Sequence, residues 1–179
     1  MIVPMLFGAI GVAILLSLGI WQSNRLVWKE AILAEIDQRI AMAPVSLPDN
    51  AAEAADEYLA VTAYGRILPD EIHILTSSQK SGPGYRVIAP FELGDRTILV
   101  DRGFIRQADK DKARETVSGV VNGNLLGPDE VDAKYTPAPN LATNTWFARD
   151  LPAMAAHLKT EPVLIVLRKP SVGDKAVTP

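Results

Sequence analysis

Cysteine is missing altogether from this 179-residue chain. Its absence excludes disulfides, thiolate metal sites, haem attached through a C-x-x-C-H motif and a cysteine nucleophile. It is compatible with an oxidising compartment without fixing one. An excess of positive charge is missing too: 18 Lys and Arg face 21 Asp and Glu, a net charge of −3 with the signs interspersed. That balance offers no broad basic surface to a nucleic acid. No repeat of 20–50 residues is visible, and the strand–helix alternation of a dinucleotide-binding fold is lacking. The chain has two histidines, neither with a second ligand at helical or turn spacing, so no metal site is predicted. No serine, histidine and acid combine into a hydrolase set. The chain reads as a binding or assembly module and not as an enzyme.

Charge is also absent from Met1 to Asn24, and Ile2–Trp21 is almost continuously apolar. Twenty helical residues at about 1.5 Å each span about 30 Å, the thickness of a bilayer's hydrocarbon core. A cleaved signal peptide would need a basic start, a shorter apolar run and a nearby small-residue site. No Lys or Arg precedes this run, and the A-x-A candidate Ala41-Met42-Ala43 lies beyond several charges. The segment is predicted to be a transmembrane anchor over 1–24. Ala9, Ala13 and Ser17 recur every fourth residue and form a small-residue ridge where another helix could pack. Trp21 and Trp28 bracket the exit from the apolar zone, with Arg25 and Lys29 beside them, the composition of a membrane interface. Beyond it, Trp28, Ile32, Ile36 and Ile40 repeat at i, i+4, which predicts an amphipathic extension over 25–43. Pro44 ends that pattern, so one helix is expected from about residue 4 to residue 42. The positive-inside rule alone would put the Arg25/Lys29 flank in the cytoplasm.

Residues 44–169 predict one soluble α+β domain, antiparallel and strand-rich, with one or two short helices. A polar connection over 45–57, with room for a helical turn, leads into it. Strands are expected at 58–68, 71–76, 85–93, 97–105, 116–126 and 163–167. Those at 85–93 and 97–105 form a hairpin around Gly94-Asp95. Residues 77–84 and 107–115 read as loops, and 128–139 as irregular. Asp150 can cap a helix over Leu151–Leu158, with Pro152 in its first turn. The last ten residues, 170–179, read as a flexible tail.

His73 alternates with Ile72 and Ile74, which predicts a solvent-facing strand residue on the face of Glu71. His157 lies near the end of the short helix, where partial positive charge is mildly stabilising. Gly82-Pro83-Gly84 reads as a turn, and Gly119, Gly123 and Gly127 as strand bulges. After the apolar run T-I-L-V come Asp101, Arg102 and Arg106. Arg102, Phe104 and Arg106 share a face at strand period, either as an edge-strand surface or as an anion-recognising patch.

Several stretches together resemble the Surfeit-locus family of cytochrome c oxidase assembly factors, the Shy family of fungi included. The first is G-I-W-Q-S-N-R-L-V-W-K at Gly19–Lys29, similar to the family's G-x-W-Q-x-x-R-x-x-W-K. The second is G-Y-R-V-I-A-P-F at Gly84–Phe91, followed by T-I-L-V-D-R-G-F-I at Thr97–Ile105. The third, N-T-W-F-A-R-D-L-P-A-M-A at Asn144–Ala155, is similar to N-x-W-x-x-R-D-x-x-x-M-A. The resemblance implies a bacterial inner-membrane protein whose domain lies in the periplasm, and this orientation is preferred to the charge tally. It implies a non-enzymatic assembly factor that assists maturation of the oxidase's catalytic subunit alongside other assembly factors, with haem a as the associated cofactor. Trp21, Gln22, Arg25 and Trp28 would dock at the membrane interface. Arg102, Gly103, Arg106, Trp146, Arg149 and Asp150 become candidate partner or haem-propionate contacts. Arg106 stands where many relatives carry proline. The family's second membrane helix, with the histidine that is its usual candidate haem ligand, has no counterpart in these residues, so no ligand is carried over. The alternative is an anchored adaptor for an unrelated periplasmic protein.

Overall fold

The computed structural model describes residues 2–51, 56–127, 131–132, 134–170 and 177–178. The chain divides into two compact units, Met1–Arg39 and Ile40–Pro179.

Helix α1 runs through Ile2–Ala41, forty residues of which none is buried. It is long and apolar enough to cross a membrane. Where apolar residues give way to polar ones, Ser23 Oγ donates to the Gly19 carbonyl at 3.0 Å. The Arg25 guanidinium lies 5.3 Å from the Trp21 ring centroid, a cation–π contact one turn apart. Arg39 reaches back to Glu35 at 3.2 Å, the favourable order for an i, i+4 pair.

Among the described residues, the second unit is built on eight strands and one α-helix. The strands are β1 (Val45–Ser46), β2 (Ala60–Ile67), β3 (Ile72–Ser78), β4 (Gly82–Leu93), β5 (Arg96–Arg106), β6 (Ser118–Leu126), β7 (Thr145–Trp146) and β8 (Leu164–Leu167). Helix α2 (Leu151–Leu158) precedes β8. The sheet order is β1-β2-β6-β8-β5-β4-β3-β7, and β2 also pairs with β4 through Arg66↔Glu92 and Ile67↔Phe91. That last pairing closes β2-β6-β8-β5-β4 into a five-stranded barrel. Val61, Phe91, Ile98, Val100, Val121, Leu125 and Ile165 fill its interior. Burying each aliphatic side chain contributes about 1.5–3 kcal/mol.

β3 and β7 extend the sheet beyond the barrel, so both faces of β3 and β4 need cover. On one face α2 packs Leu151, Met154 and Ala155 against Ile72, Ile74, Ile88, Leu99 and Trp146. The opposite face carries Tyr85, Val87, Ile105 and Val177. Because side chains alternate along a strand, Arg86 and Ile88 belong to the α2 face while His73, Tyr85 and Val87 face the other way.

The strand-rich α+β expectation holds, and most strands run antiparallel. Three pairings are parallel: β1–β2, β3–β7 and β5–β8. The β5–β8 contact inserts the last strand between β5 and β6, which period-2 patterning does not encode because it names faces and not neighbours. Four local expectations are corrected. Residues 77, 78 and 82–84 are strand, so the turn between β3 and β4 is shorter than read, and Gly82-Pro83-Gly84 opens β4. Gly119 and Gly123 lie in a β2–β6 ladder with no bulge; at Gly123 a Cβ would run into the Val166 carbonyl and the Ile165 side chain. Over Leu99–Asp101 β5 is not an edge, since β4 and β8 flank it; beyond Asp101 its second side carries the Phe104–Thr178 bridge in place of β8. Within the expected flexible tail, Val177 is buried and Thr178 bridges to Phe104. Residues 52–55 of the 45–57 connection, 128–130 and 133 of the stretch read as irregular, and 171–176 of the tail lie outside the described residues.

Candidate functional site

The strongest concentration of buried charge forms where the three domain stretches quoted above meet. Asp101 of β5 is fully buried. Its Oδ2 accepts from Arg86 Nε of β4 at 2.6 Å and from an Arg149 terminal nitrogen at 3.1 Å. Its Oδ1 accepts from the Gly103 amide at 3.1 Å. Arg86 comes from G-Y-R-V-I-A-P-F, Asp101 from T-I-L-V-D-R-G-F-I and Arg149 from N-T-W-F-A-R-D. Sequence-distant pieces thus converge on one carboxylate. Its burial is tolerable because both oxygens are satisfied, two bonds being charge-assisted.

The geometry depends on a β-bulge. Val87 pairs with Gly103 and Ile88 with Asp101, so Arg102 is the extra residue of β5. Gly103 has φ = +131°, a conformation that favours glycine. Arg102 stays inward on the side of Val100, 1% exposed and donating to the Glu115 carbonyl at 3.3 Å, while the residues beyond the bulge change face. Arg106 ends β5 exposed. The shared face expected of Arg102 and Arg106 is therefore broken by the bulge, and the two do not form one patch. Trp146 is buried under α2, its ring centroid 5.8 Å from that of His157. Asp150 caps α2, its Oδ1 accepting from the Ala153 amide at 3.1 Å. Of the six domain residues singled out in the sequence, Arg149 and Gly103 meet at Asp101, whereas Trp146 and Asp150 serve packing and capping. On α1, Ala9, Ala13, Ser17, Trp21, Gln22, Arg25 and Trp28 are all exposed.

A second cluster occupies the opposite face. His73 was expected to face solvent; it is buried at 5% exposure because the 107–115 segment folds over it. The Arg114 guanidinium, its side chain 2% exposed, pairs with Glu71 and donates to the carbonyls of Asp109 and Lys110 at 3.0 and 2.9 Å. His73 Nε2 lies 2.8 Å from Glu71 Oε1 and 3.1 Å from an Arg114 nitrogen. Asn144 Nδ2 donates to the Glu71 carbonyl at 2.8 Å. Burial works to raise the Glu71 pKa, but hydrogen bonds and charge from Arg114 and His73 outweigh it and bring it from 4.5 down to about 2. Lys110 Nζ donates to Thr143 O and Thr145 Oγ1 and sits 4.5 Å from the Tyr85 ring centroid. Together these contacts fasten the charged loop to β3.

Sequence reasoning missed Arg86 and the Glu71–His73–Arg114 cluster. A signal for the first existed: an arginine at an apolar-flanked position inside a strand needs a buried anion, and Asp101 after T-I-L-V supplies one. Nothing local announces that Arg114, forty-three positions away, would reach Glu71. Among the described residues no group of three His, Cys, Asp or Glu side chains is placed to hold a metal ion.

A long apolar helix followed by a small closed barrel, its strands tied by a buried aspartate, defines a helix-plus-barrel module with a structural charge centre. The sequence profile of the SURF1 family matches residues 9–178, and the chain belongs to that family. It is 30% identical over 177 residues to a SURF1-like protein of Drosophila melanogaster, covering 83% of this chain and 57% of that one. It is 32% identical over 175 residues to Surfeit locus protein 1 of Homo sapiens, covering 83% and 57%. With a SURF1-like protein of Rickettsia felis it shares 32% over 152 residues, covering 77% and 63%. The chain thus spans a little over half the length of the curated relatives it matches.

Proposed function

We propose that this chain is a membrane-anchored assembly factor for haem-copper (cytochrome c) oxidase, acting on the catalytic subunit without turnover chemistry. The observation that carries the proposal is the SURF1 family match over nearly the whole chain. The convergence of the three stretches on Asp101 supports it by giving the shared motifs one structural purpose. In this reading α1 spans the bacterial inner membrane, its Trp21–Trp28 segment lies at the interface, and the barrel works in the periplasm.

Assistance with haem a insertion is the finer reading, and the described residues assign no ligand to that group. His73 is buried with its Nε2 already engaged by Glu71 and Arg114. His157 is exposed beside Trp146 on α2. Of the arginines among the candidate propionate contacts, Arg102 is buried, Arg106 is exposed and Arg149 is engaged by Asp101. The proposed role is towards the catalytic subunit as a protein.

Deleting the gene in its own organism should lower the amount of active haem-copper oxidase and its haem a absorbance. Unchanged oxidase content and spectrum would sink the proposal. Tagged chain should co-purify with the catalytic subunit; recovery of an unrelated periplasmic protein in its place would favour the adaptor alternative.

A further inference from the structure

We infer that the open edge of β3, beside Arg86, is a docking site for an extended segment of a partner protein that carries an acidic side chain. Three observations converge. First, β4 pairs with all seven residues of β3, whereas β7 covers His73 and Ile74 alone. Among the described residues no strand pairs with the outer edge of Leu75–Ser78. Leu75 is 46% exposed there. An unpaired edge of this kind presents backbone donors and acceptors to an added strand.

Second, β7 runs parallel to β3 and then diverges from it after Trp146. Its departure leaves a cleft of about 320 Å³ lined by Ile74, Leu75, Thr76, Arg86, Phe147 and Arg149. Phe147 is 39% exposed at this cleft, so the opening combines an apolar wall with two guanidinium groups.

Third, Arg86 is held in place at one nitrogen only. Its Nε donates to buried Asp101 at 2.6 Å, and its terminal nitrogens meet no acceptor among the described residues. The side chain keeps 24% of its surface exposed. A guanidinium fixed through Nε and open at its two terminal nitrogens can take a carboxylate with little further ordering. An edge strand alone would accept any extended chain. The cation beside it selects one whose carboxylate projects towards the α2 face, the face of Arg86.

The inference goes beyond the oxidase proposal and does not depend on which protein supplies the segment. It is tested by fluorescence anisotropy with the full chain in detergent micelles and labelled heptapeptides of alternating Val and Thr with a central Glu. The Glu peptide should bind at least tenfold more tightly than its Gln counterpart. N-methylation of alternate peptide amides should abolish binding in one phase of the alternation and spare it in the other, the mark of strand addition. Arg86→Gln should remove the preference for Glu. Because that variant also disturbs Asp101, the comparison among peptides on the unaltered chain decides the matter. Equal affinity for Glu and Gln peptides, or indifference to N-methylation in both phases, would overturn the inference.

Discussion

The two buried charge clusters of the barrel unit differ in ways that separate what a sequence shows from what a fold adds. Both place an acid between cations, and they occupy opposite faces of the β3–β4–β5 layer. At the Asp101 centre the acid is fully buried, and its partners come from β4, the β5 bulge and the segment before α2. At the Glu71 centre the side chain is 16% exposed, and its main partner sits on a loop that folds over the sheet edge. The first therefore ties strands and helix together inside the fold. The second fastens a loop from outside. The expected consequence is that loss of Asp101 weakens the whole barrel, while loss of Glu71 acts mainly on the 107–115 segment.

The largest effect is expected from Asp101→Ala. It leaves Arg86 and Arg149 facing a gap with their shared anion removed, and breaking a buried pair in this way costs about 3–5 kcal/mol. Urea unfolding of the full chain in micelles, followed by near-ultraviolet circular dichroism, should show that loss as a lower midpoint with an unchanged slope. A loss below about 1 kcal/mol would mean that water reaches the site and that the contrast between the two clusters is wrong.

Much of the fold was legible because the relevant information is local. Apolar length marked α1, alternation marked the strands, and Asp150 followed by Leu151-Pro152 marked α2. The hairpin at Gly94-Asp95 was legible for the same reason. What the sequence withheld was pairing. A strand's pattern says that one face is buried but not which strand lies beside it, so the β2–β4 closure and the parallel β5–β8 contact could not be read. The bulge at Arg102 shows the same limit at the site itself. A single extra residue reverses the face of everything beyond it, so Arg106 ends exposed although strict alternation grouped it with buried Arg102. His73 was misread because the segment that buries it comes forty residues later. Alternation assumes one wet face, and β3 has none where Arg114 covers it.

A smaller, pH-limited effect is expected at Glu71. Its folded pKa of about 2 lies below the ordinary 4.5. For a depressed carboxylate the stabilisation is fully present above the unfolded value and is lost as pH falls through the folded one. The window is therefore about pH 4.5 to 2, and the contribution is at most about 3 kcal/mol. Comparing the unaltered chain with Glu71→Gln across that window isolates this group from the other carboxylates. The two should differ most above pH 4.5 and converge near pH 2. Limited proteolysis should show Glu71→Gln cut first within 107–115. A pH-independent difference, or cleavage spread over the whole barrel, would remove the distinction between loop fastening and core tie.

The smallest effect is expected where similar chemistry sits in water. Arg66 and Glu92 face each other across the β2–β4 seam at 2.8 Å, close to the spacing found at Asp101, but their side chains are 53% and 44% exposed. Solvent and salt screen such a pair, and holding two long side chains in register costs entropy, so it should contribute about 0.2–1 kcal/mol. A double-mutant cycle through Arg66→Ala and Glu92→Ala measures the coupling, which should shrink further when ionic strength is raised. A coupling above about 2 kcal/mol would show that position at the closing seam, and not burial, decides what an ion pair contributes here. In that case Asp101 would owe its importance to the strands it joins more than to the water it excludes.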